Sequence, residues 1–247
     1  MADHPEHGGA HRAPRADPSA LSQMLLDGTS VIHRLAERRP FMVAFFKGEI
    51  GRDAYIEWLA RQATVYAALE ETSDALRDDP VVGRMHSPEL TRSAAIERDL
   101  AVLAGPDWRD RAKPSAAADA YAERIRGVAS EFPPAFVAHQ WLRYLGNVLG
   151  QELLRKLTAK VIGTEDGMDF YRFPEIADGR TFLRAYHERM NSMPLDDDGK
   201  RLVVEEGDRA FKLNIALTDE LGAEFGFTSA DQAETEALIE KLEAEHP

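Results

Sequence analysis

The amino-acid sequence predicts a single all-α domain. From Ser19 onward apolar residues recur every three or four positions, the spacing of helices that bury one face, and segments that alternate like strands are few. The sequence shows no internal repeat and no Gly/Ser-rich linker that would divide the chain. We therefore expect one multi-helix domain over residues 19–225.

Composition and charge exclude several classes of function. The 247 residues include 30 Lys and Arg against 43 Asp and Glu, and this net charge of −13 argues against nonspecific nucleic-acid binding, which needs a basic surface. The absence of cysteine excludes disulfides, zinc–thiolate sites, iron–sulfur clusters and thiol catalysis. The longest apolar stretch, Phe41–Phe46, is far shorter than the roughly 18 residues that span a bilayer. We expect a soluble, cytoplasmic protein with no membrane span.

The two ends of the chain are predicted to lie outside this domain. Residues 1–18 contain three Pro, two Gly and almost no apolar side chains, so we expect a disordered leader. His4, His7 and His11 lie in this leader without a constellation of carboxylates, and we do not expect a metal site there. Residues 226–247 are rich in acids and are expected to form an acidic helix or tail.

Proline and glycine bound the helices predicted in the first half of the chain. A helix from about Ser19 to Arg38 ends before Pro40, because a proline ring disfavours helical geometry in the preceding residue. The apolar segment Phe41–Lys47 forms a short helix that ends at Gly48. Two longer helices, which stop at Asp79-Pro80 and at Gly105-Pro106, are predicted over Asp53–Leu76 and Pro88–Leu103.

Proline and glycine also bound helices predicted in the second half of the chain. Apolar residues at helical intervals predict a helix over Ala116–Ser130. Pro133 and Pro134 then open a long helix from Phe136 to about Val161, since proline is tolerated in a first turn, and Gly163 ends it. After a looser link, two further helices are expected over Thr181–Asn191 and Asp198–Leu221.

A histidine on the first helix is a candidate metal ligand. His33 lies one helical turn before Glu37, whose carboxylate can accept a hydrogen bond from one ring nitrogen and leave the other free. Histidine that binds a metal usually has such an acceptor. The same spacing is also ordinary helix chemistry, so the pair alone does not establish a metal site.

Two glycines lie within the long helix of the second half. Gly146 and Gly150 each cost roughly 1 kcal/mol relative to alanine, and their spacing places them on one face. Such a face lets the backbone approach another helix or a flat object closely. A tight helix crossing explains the glycines alone. Together with a histidine-bearing helix, they indicate haem held between two helices, with His33 as axial ligand.

Eight blocks of sequence, in a fixed order over residues 21–222, point to one family. They read LLDGTSVIHRLAERRPFMVAFFKG, TVYAALEE, PELTRS, ERDLAVLAG, VAHQWLRYLGNVLGQELL, FYRFPEI, RMNSM and AFKLNIAL. In this order and spacing the chain resembles the biliverdin-forming haem oxygenases of bacterial type. The resemblance implies that family's all-α fold, with haem between a proximal helix and a kinked distal helix.

The resemblance also implies residues on both sides of the haem. On the proximal side His33 would be the iron ligand and Glu37 its hydrogen-bonding neighbour. The residues that would contact the haem are Met42, Phe45 and Phe211. On the distal side, the glycines that admit the haem face and the residues that organise water would be Gly146, Gly150, Tyr66, Arg143 and Asn214.

In this family haem b is both cofactor and substrate. The resemblance implies that O2 and electrons from a ferredoxin or a reductase cleave the macrocycle to biliverdin, carbon monoxide and ferrous iron. Arg155, Lys156 and Lys160 follow the distal helix and correspond to a basic surface on which relatives dock the electron donor. A solvated helix end, favoured by the helix dipole, explains the same three cations.

The chain departs from the family pattern at the distal aspartate. Where relatives read GDLSGG, this chain reads GNVLGQ, which places Asn147 at the aspartate position. An ionised carboxylate accepts hydrogen bonds from water and can help to deliver protons, whereas an amide is neutral and does not exchange a proton near pH 7. We therefore expect slower or rerouted proton delivery and predict that Asn147→Asp speeds turnover.

The anchors of the haem carboxylates differ as well. The positions at which relatives often carry basic residues hold Leu26, Ser30, Leu183 and His187. The remaining candidate cations are Arg180, Arg184, His187 and Arg189. Because these anchors determine which ring edge meets the oxygen, they bear on the product isomer, which we expect to be alpha by family frequency.

Two other functions are compatible with the sequence. A noncatalytic haem-binding or sensing protein, or a peroxidase-like relative, would keep His33 and lose ring cleavage together with the aspartate. A helical relative acting on a substrate other than haem, such as a thiamin fragment, would need a catalytic cysteine or a carboxylate pocket, and the chain has no cysteine.

Overall fold

The computed structural model describes residues 17–227, and this part of the chain is helical with no β-strand. The all-α prediction is confirmed. The ten α-helices of the described residues are α1 (Leu21–Gly28), α2 (Ser30–Glu37), α3 (Pro40–Lys47), α4 (Gly51–Ala75), α5 (Ser93–Ala104), α6 (Trp108–Arg111), α7 (Ala116–Glu131), α8 (Phe136–Ile162), α9 (Gly179–Asn191) and α10 (Asp197–Phe225). His4, His7, His11, most of the predicted leader and most of the predicted acidic tail lie outside the described residues.

The predicted first helix is in fact two helices. Thr29 separates α1 from α2 with φ −101° and ψ 1°, and its hydroxyl donates to the carbonyl of Leu25 at 2.6 Å. Gly28 packs against α10 so tightly that a Cβ there would lie 2.4 Å from Cγ1 of Val204. The prediction of one continuous helix from Ser19 to Arg38 is therefore wrong, because packing against a distant helix and a local hydrogen bond both act at this point.

The start of α5 also differs from the prediction. Pro88–Leu90 forms a separate 3-10 turn, and α5 begins only at Ser93. The carboxylate of Glu70 on α4 accepts hydrogen bonds from the backbone N–H groups of Arg92 and Ser93, at 2.5 and 2.9 Å. These amides are among those that a helix start leaves without a partner. Glu70 thus sets the boundary, and no signal within the segment itself indicates it.

Helix α10 runs through the centre of the fold and contacts α1, α2, α3, α4, α7 and α8. Its Gly207 allows the close approach of α1, since a Cβ there would lie 2.8 Å from Cδ2 of Leu25. The buried guanidinium of Arg61 on α4 binds Glu220 and Glu224 of α10, at 3.1 and 2.6 Å. Phe227, beyond the predicted domain end at residue 225, packs edge-on against Phe41 with ring centroids 5.9 Å apart. Within residues 17–227, no helix is both long enough and apolar enough to cross a bilayer.

A buried charged cluster joins α7, α8 and α10. Glu206 accepts two hydrogen bonds from Arg124, at 2.8 and 2.7 Å, and one from Nε2 of His139 at 2.9 Å. Burial by itself would raise the pKa of Glu206, but the hydrogen bonds from Arg124 and His139 outweigh it and lower the pKa to about 2. Burial also lowers the pKa of His139, so its imidazole is neutral and Nε2 carries the proton.

Glu206→Gln is expected to destabilise the protein by about 3 kcal/mol near pH 6, since it removes the charge of a buried ion pair. The folded-state pKa is lowered from 4.5, so Glu206 stabilises the fold above about pH 4.5 and loses this effect as the pH falls toward 2. In urea unfolding over a pH series, the difference between wild type and variant should shrink in that window. Glu131→Gln is the control, because Glu131 binds the same Arg124 from an exposed position and its loss should change little. A difference between wild type and Glu206→Gln that does not vary with pH would contradict the assignment.

Candidate functional site

A cavity of about 600 Å³ opens between α2, α3, α8, α9 and α10, within the size range of ligand pockets. The predicted site residues that line it are His33, Glu37, Met42, Phe45, Arg143, Gly146, Asn147, Gly150, His187, Phe211 and Asn214. Tyr66 lies behind this wall and reaches it through Asn147. Ser30 and Arg184 do not line the cavity.

The proximal side of the cavity presents a histidine with one free ring nitrogen. Nε2 of His33 lies 3.4 Å from Oε1 of Glu37, and the structure shows no partner within residues 17–227 for the other nitrogen. The imidazole lies against the ring of Phe211, with centroids 5.1 Å apart and planes inclined by 34°. The His33 side chain is 51% exposed. The imidazole is therefore accessible to a metal ion in the cavity.

The glycines of α8 face the cavity and not another helix. A Cβ at Gly146 would meet no atom within 4 Å, and one at Gly150 would meet only Leu154 of the same helix. The close helix contact of α8 lies elsewhere, at Val148, whose carbonyl oxygen would be 3.1 Å from a Cβ on Gly179 of α9. A tight helix crossing therefore does not explain Gly146 or Gly150. Their missing side chains leave room in the cavity for a ligand.

Tyr66 and Asn147 form a hydrogen-bonded pair behind the glycine face. The Tyr66 hydroxyl donates to the backbone carbonyl of Arg143 at 2.7 Å. Nδ2 of Asn147 donates to the Tyr66 hydroxyl at 2.9 Å and to the Arg143 carbonyl at 3.1 Å. Burial raises the pKa of Tyr66, so the phenol stays neutral. Both N–H groups of the Asn147 side chain are thus engaged, and its side-chain oxygen Oδ1 remains available as a hydrogen-bond acceptor.

Arg143 connects three helices through neutral partners. Its NH1 group donates to Oδ1 of Asn214 on α10 at 2.5 Å, and its NH2 group donates to Oε1 of Gln62 on α4. The Gln62 side chain is fully buried and donates in turn to the carbonyl of Trp58 at 3.3 Å. The sequence analysis did not identify this role of Gln62. Its position one turn before Tyr66 on the same helix face was the available signal.

Large apolar side chains are exposed at the mouth of the cavity. Leu26, Phe46, Leu149 and Leu153 line it and are between 46% and 73% exposed. Soluble proteins seldom leave such a cluster uncovered without a ligand or a partner. A flat, largely apolar macrocycle that reaches His33 would cover these side chains. The cavity therefore fits haem in its size, its lining and the exposed imidazole of His33.

The candidate cations for the haem carboxylates do not gather at this mouth. Arg189 donates to Ser87 at 2.9 Å, and Arg180 and Arg184 are exposed outside the cavity wall. His187 does line the cavity, but Nε2 accepts a hydrogen bond from the Trp141 indole at 3.3 Å, and burial lowers the pKa of His187. The imidazole is therefore neutral at pH 7, and it offers a hydrogen-bond donor in place of a positive charge.

Comparison with known proteins identifies the family. The heme oxygenase family model matches residues 19–220. The chain is 35% identical over 202 residues to heme oxygenase 1 of Synechocystis, covering 81% of this chain and 84% of that protein. It is also 35% identical over 228 residues to human heme oxygenase 1, covering 91% and 79%. The chain belongs to the heme oxygenase family.

Solved structures of this family share the fold described above. The crystal structure of heme oxygenase-1 from Synechocystis in complex with heme superimposes with a TM-score of 0.80 at 32% identity, covering 90% of this chain and 99% of that chain. The heme oxygenase structure from Leptospira interrogans has a TM-score of 0.77 at 32% identity, covering 81% and 99%. The resemblance stated from eight sequence blocks is therefore confirmed.

Gly146→Ala is expected to stabilise the ligand-free protein by up to about 1 kcal/mol, because alanine favours the helix and its methyl group points into open space. Gly207→Ala serves as the matched comparison, and we expect it to destabilise by about 1 to 3 kcal/mol because its methyl group meets Leu25. Urea unfolding of both variants measures this. Destabilisation by Gly146→Ala comparable to that of Gly207→Ala would indicate a helix contact at Gly146.

Proposed function

We propose that this chain is a haem oxygenase that cleaves haem to biliverdin, carbon monoxide and ferrous iron, using O2 and electrons from a separate donor. The observation that carries the proposal is one cavity with an accessible histidine on α2 and an open glycine face on α8. Family membership supports an oxygenase, and no specific observation favours the noncatalytic haem binder. When bound, haem supplies both the iron that activates O2 and the ring that is cleaved.

On the proximal side the protein holds the ligating imidazole. Oε1 of Glu37 lies 3.4 Å from Nε2 of His33, where the carboxylate can orient the imidazole, and the other ring nitrogen would bind the iron. Phe211 lies against the imidazole and limits its rotation. We propose that Met42 and Phe45, which line the same wall, contact the macrocycle.

On the distal side the protein shapes the space for a small ligand and for water. The bare backbone at Gly146 and Gly150 would leave room for a small ligand beside bound haem. The oxygen of Asn147 can accept a hydrogen bond from water at this position, while Arg143 and Asn214 fix the wall beside it. Asn147 cannot itself gain or lose a proton near pH 7, so protons must arrive through water.

The role of His33 is tested with His33→Ala in a spectroscopic assay. Hemin added to the wild type should give a Soret band, and O2 with a ferredoxin and its reductase, in the presence of catalase, should convert it to biliverdin. His33→Ala should alter the Soret band and abolish biliverdin formation, because α2 has no other histidine that could bind the iron opposite α8. His86→Ala is the control, because His86 lies outside the cavity beside Asp74. Haem that binds to wild type and persists under these conditions would refute the oxygenase.

Asn147→Asp is expected to raise the turnover roughly tenfold, because a carboxylate can relay protons from water and an amide cannot. The Tyr66 hydroxyl can rotate to donate to the new carboxylate. The measurement is the rate of biliverdin formation per haem. Asn191→Asp, a surface change on α9 that adds the same charge, should leave the rate unchanged. Equal or slower turnover in Asn147→Asp would show that proton delivery does not limit this enzyme.

We also propose that the electron donor docks near the end of α8. The positive charge there is smaller than the sequence suggests, because Arg155 pairs with Glu152 and Glu165, and Lys156 pairs with Glu152. Lys160 is exposed and makes no ion pair within the described residues. An acidic ferredoxin or reductase would therefore meet Lys160 as its principal attractive charge, an effect that salt weakens.

A further inference from the structure

A short 3-10 turn, Asp169–Tyr171, brings two aromatic side chains to the cavity. Tyr171 lines the cavity and is 2% exposed, and Thr158 of α8 donates a hydrogen bond to its hydroxyl at 3.2 Å. Phe170 packs edge-on against Tyr66, with ring centroids 5.4 Å apart. A shift of this turn would therefore move both the cavity lining and the ring that supports Tyr66.

Two buried charges, one on α5 and one just before it, hold this turn. The two carboxylate oxygens of Asp99 accept hydrogen bonds from the backbone N–H groups of Asp169 and Phe170, at 2.9 and 2.7 Å. The guanidinium of Arg92 donates to the backbone carbonyls of Asp169 and Arg172. One ion thus binds amides of the turn, and the other binds its carbonyls.

Neither Asp99 nor Arg92 has a counter-charge. They are 1% and 6% exposed, and neither makes an ion pair within residues 17–227. Burial raises the pKa of Asp99 to about 6 and lowers the pKa of Arg92. Buried charges are ordinarily paired, and groups that bear such a cost cluster at functional sites. The backbone of the turn takes the place of a counter-charge for both ions.

We propose that Asp99 and Arg92 are positioning residues for haem, which hold the turn Asp169–Tyr171 and thereby fix the ring of Tyr171 at the inner edge of the macrocycle. Tyr171 belongs to the buried part of the cavity lining, so its ring would limit how deeply haem enters. Neither ion lines the cavity, so both act through the turn. The proposal rests on the proposed function, because it concerns haem bound in this cavity.

The first test needs no haem. Asp99→Asn keeps the shape of the side chain but replaces one acceptor oxygen by an amide group that only donates. In the ligand-free protein, the protection of the Asp169 and Phe170 amides against hydrogen exchange, measured by NMR, should fall about tenfold. Asp169→Asn is the matched control, because it removes the same charge from a partly exposed side chain that binds Arg98, and protection should stay within about twofold of wild type.

The second test reads the position of the haem. In the ferric complex, the paramagnetically shifted haem-methyl resonances report how the ring lies against the protein. Asp99→Asn should shift these resonances, and Asp169→Asn should not. Tyr171→Leu should shift them while the amides of the turn keep their protection, because the backbone hydrogen bonds remain. The double variant of Asp99→Asn and Tyr171→Leu should shift them no further than Tyr171→Leu alone, since Asp99 acts through Tyr171.

Arg92→Lys keeps the positive charge but loses the planar fork that reaches two carbonyls, so it should reproduce both effects and keeps the proposal testable if Asp99→Asn does not fold. Unchanged amide protection in the folded variants, or lower protection with unmoved haem-methyl resonances, would overturn the positioning role. Additive shifts in the double variant would overturn it as well. Failure of the wild type to bind hemin would refute the proposed function, and with it the role toward haem, even where the exchange experiment shows that Asp99 holds the turn.

Discussion

The buried guanidinium of Arg143 fixes the inner wall of the cavity. It belongs to α8 and hydrogen-bonds to Gln62 of α4 and Asn214 of α10, so these helices cannot slide past one another without leaving a buried charge unsolvated. This constraint lets α8 carry two glycines in its middle. A helix that tertiary contacts hold in place does not depend on the intrinsic propensity of each residue, and Gly146 and Gly150 can leave one face bare.

The sequence predicted helix ends correctly where proline or glycine in the segment sets them. It failed where a contact with a distant helix sets the end. The proline pair before α8 and Gly163 after it locate that helix to within one residue, because proline and glycine act on their own backbone. The break at Thr29 depends on how Gly28 meets Val204 of α10, and nothing in the segment itself reveals that contact.

The candidate site was predictable to the extent that its residues have distinctive spacing. His33 and Glu37, and Gly146 and Gly150, stand four apart on helices and could be identified as pairs. Gln62 also stands four residues before Tyr66, but this spacing is not distinctive, because a polar residue on a helix acquires such a role only when another helix brings a cation to it. Arg189 shows the converse: its sequence position suggested the cavity, but Ser87 holds its guanidinium elsewhere.

The two sides of the cavity are held by different forces, and this bears on how haem would be seated. Hydrogen bonds that link Tyr66, Asn147, Arg143 and Asn214 hold the distal wall together without a ligand. At the mouth, by contrast, Leu26, Leu149 and Leu153 are exposed, and an apolar ligand would cover them.

At that mouth the described residues offer a neutral imidazole, His187, where an arginine or lysine would offer a charge. Apolar contact and the bond to His33 would then contribute most of the binding free energy, and the haem carboxylates would be left largely to solvent. A ligand bound in this way would stabilise the folded protein by mass action. Its in-plane orientation would follow from the shape of the apolar rim more than from ion pairs. Leu26, Leu149 and Leu183, which line the cavity, would therefore select the ring edge that is cleaved, and we predict the alpha isomer.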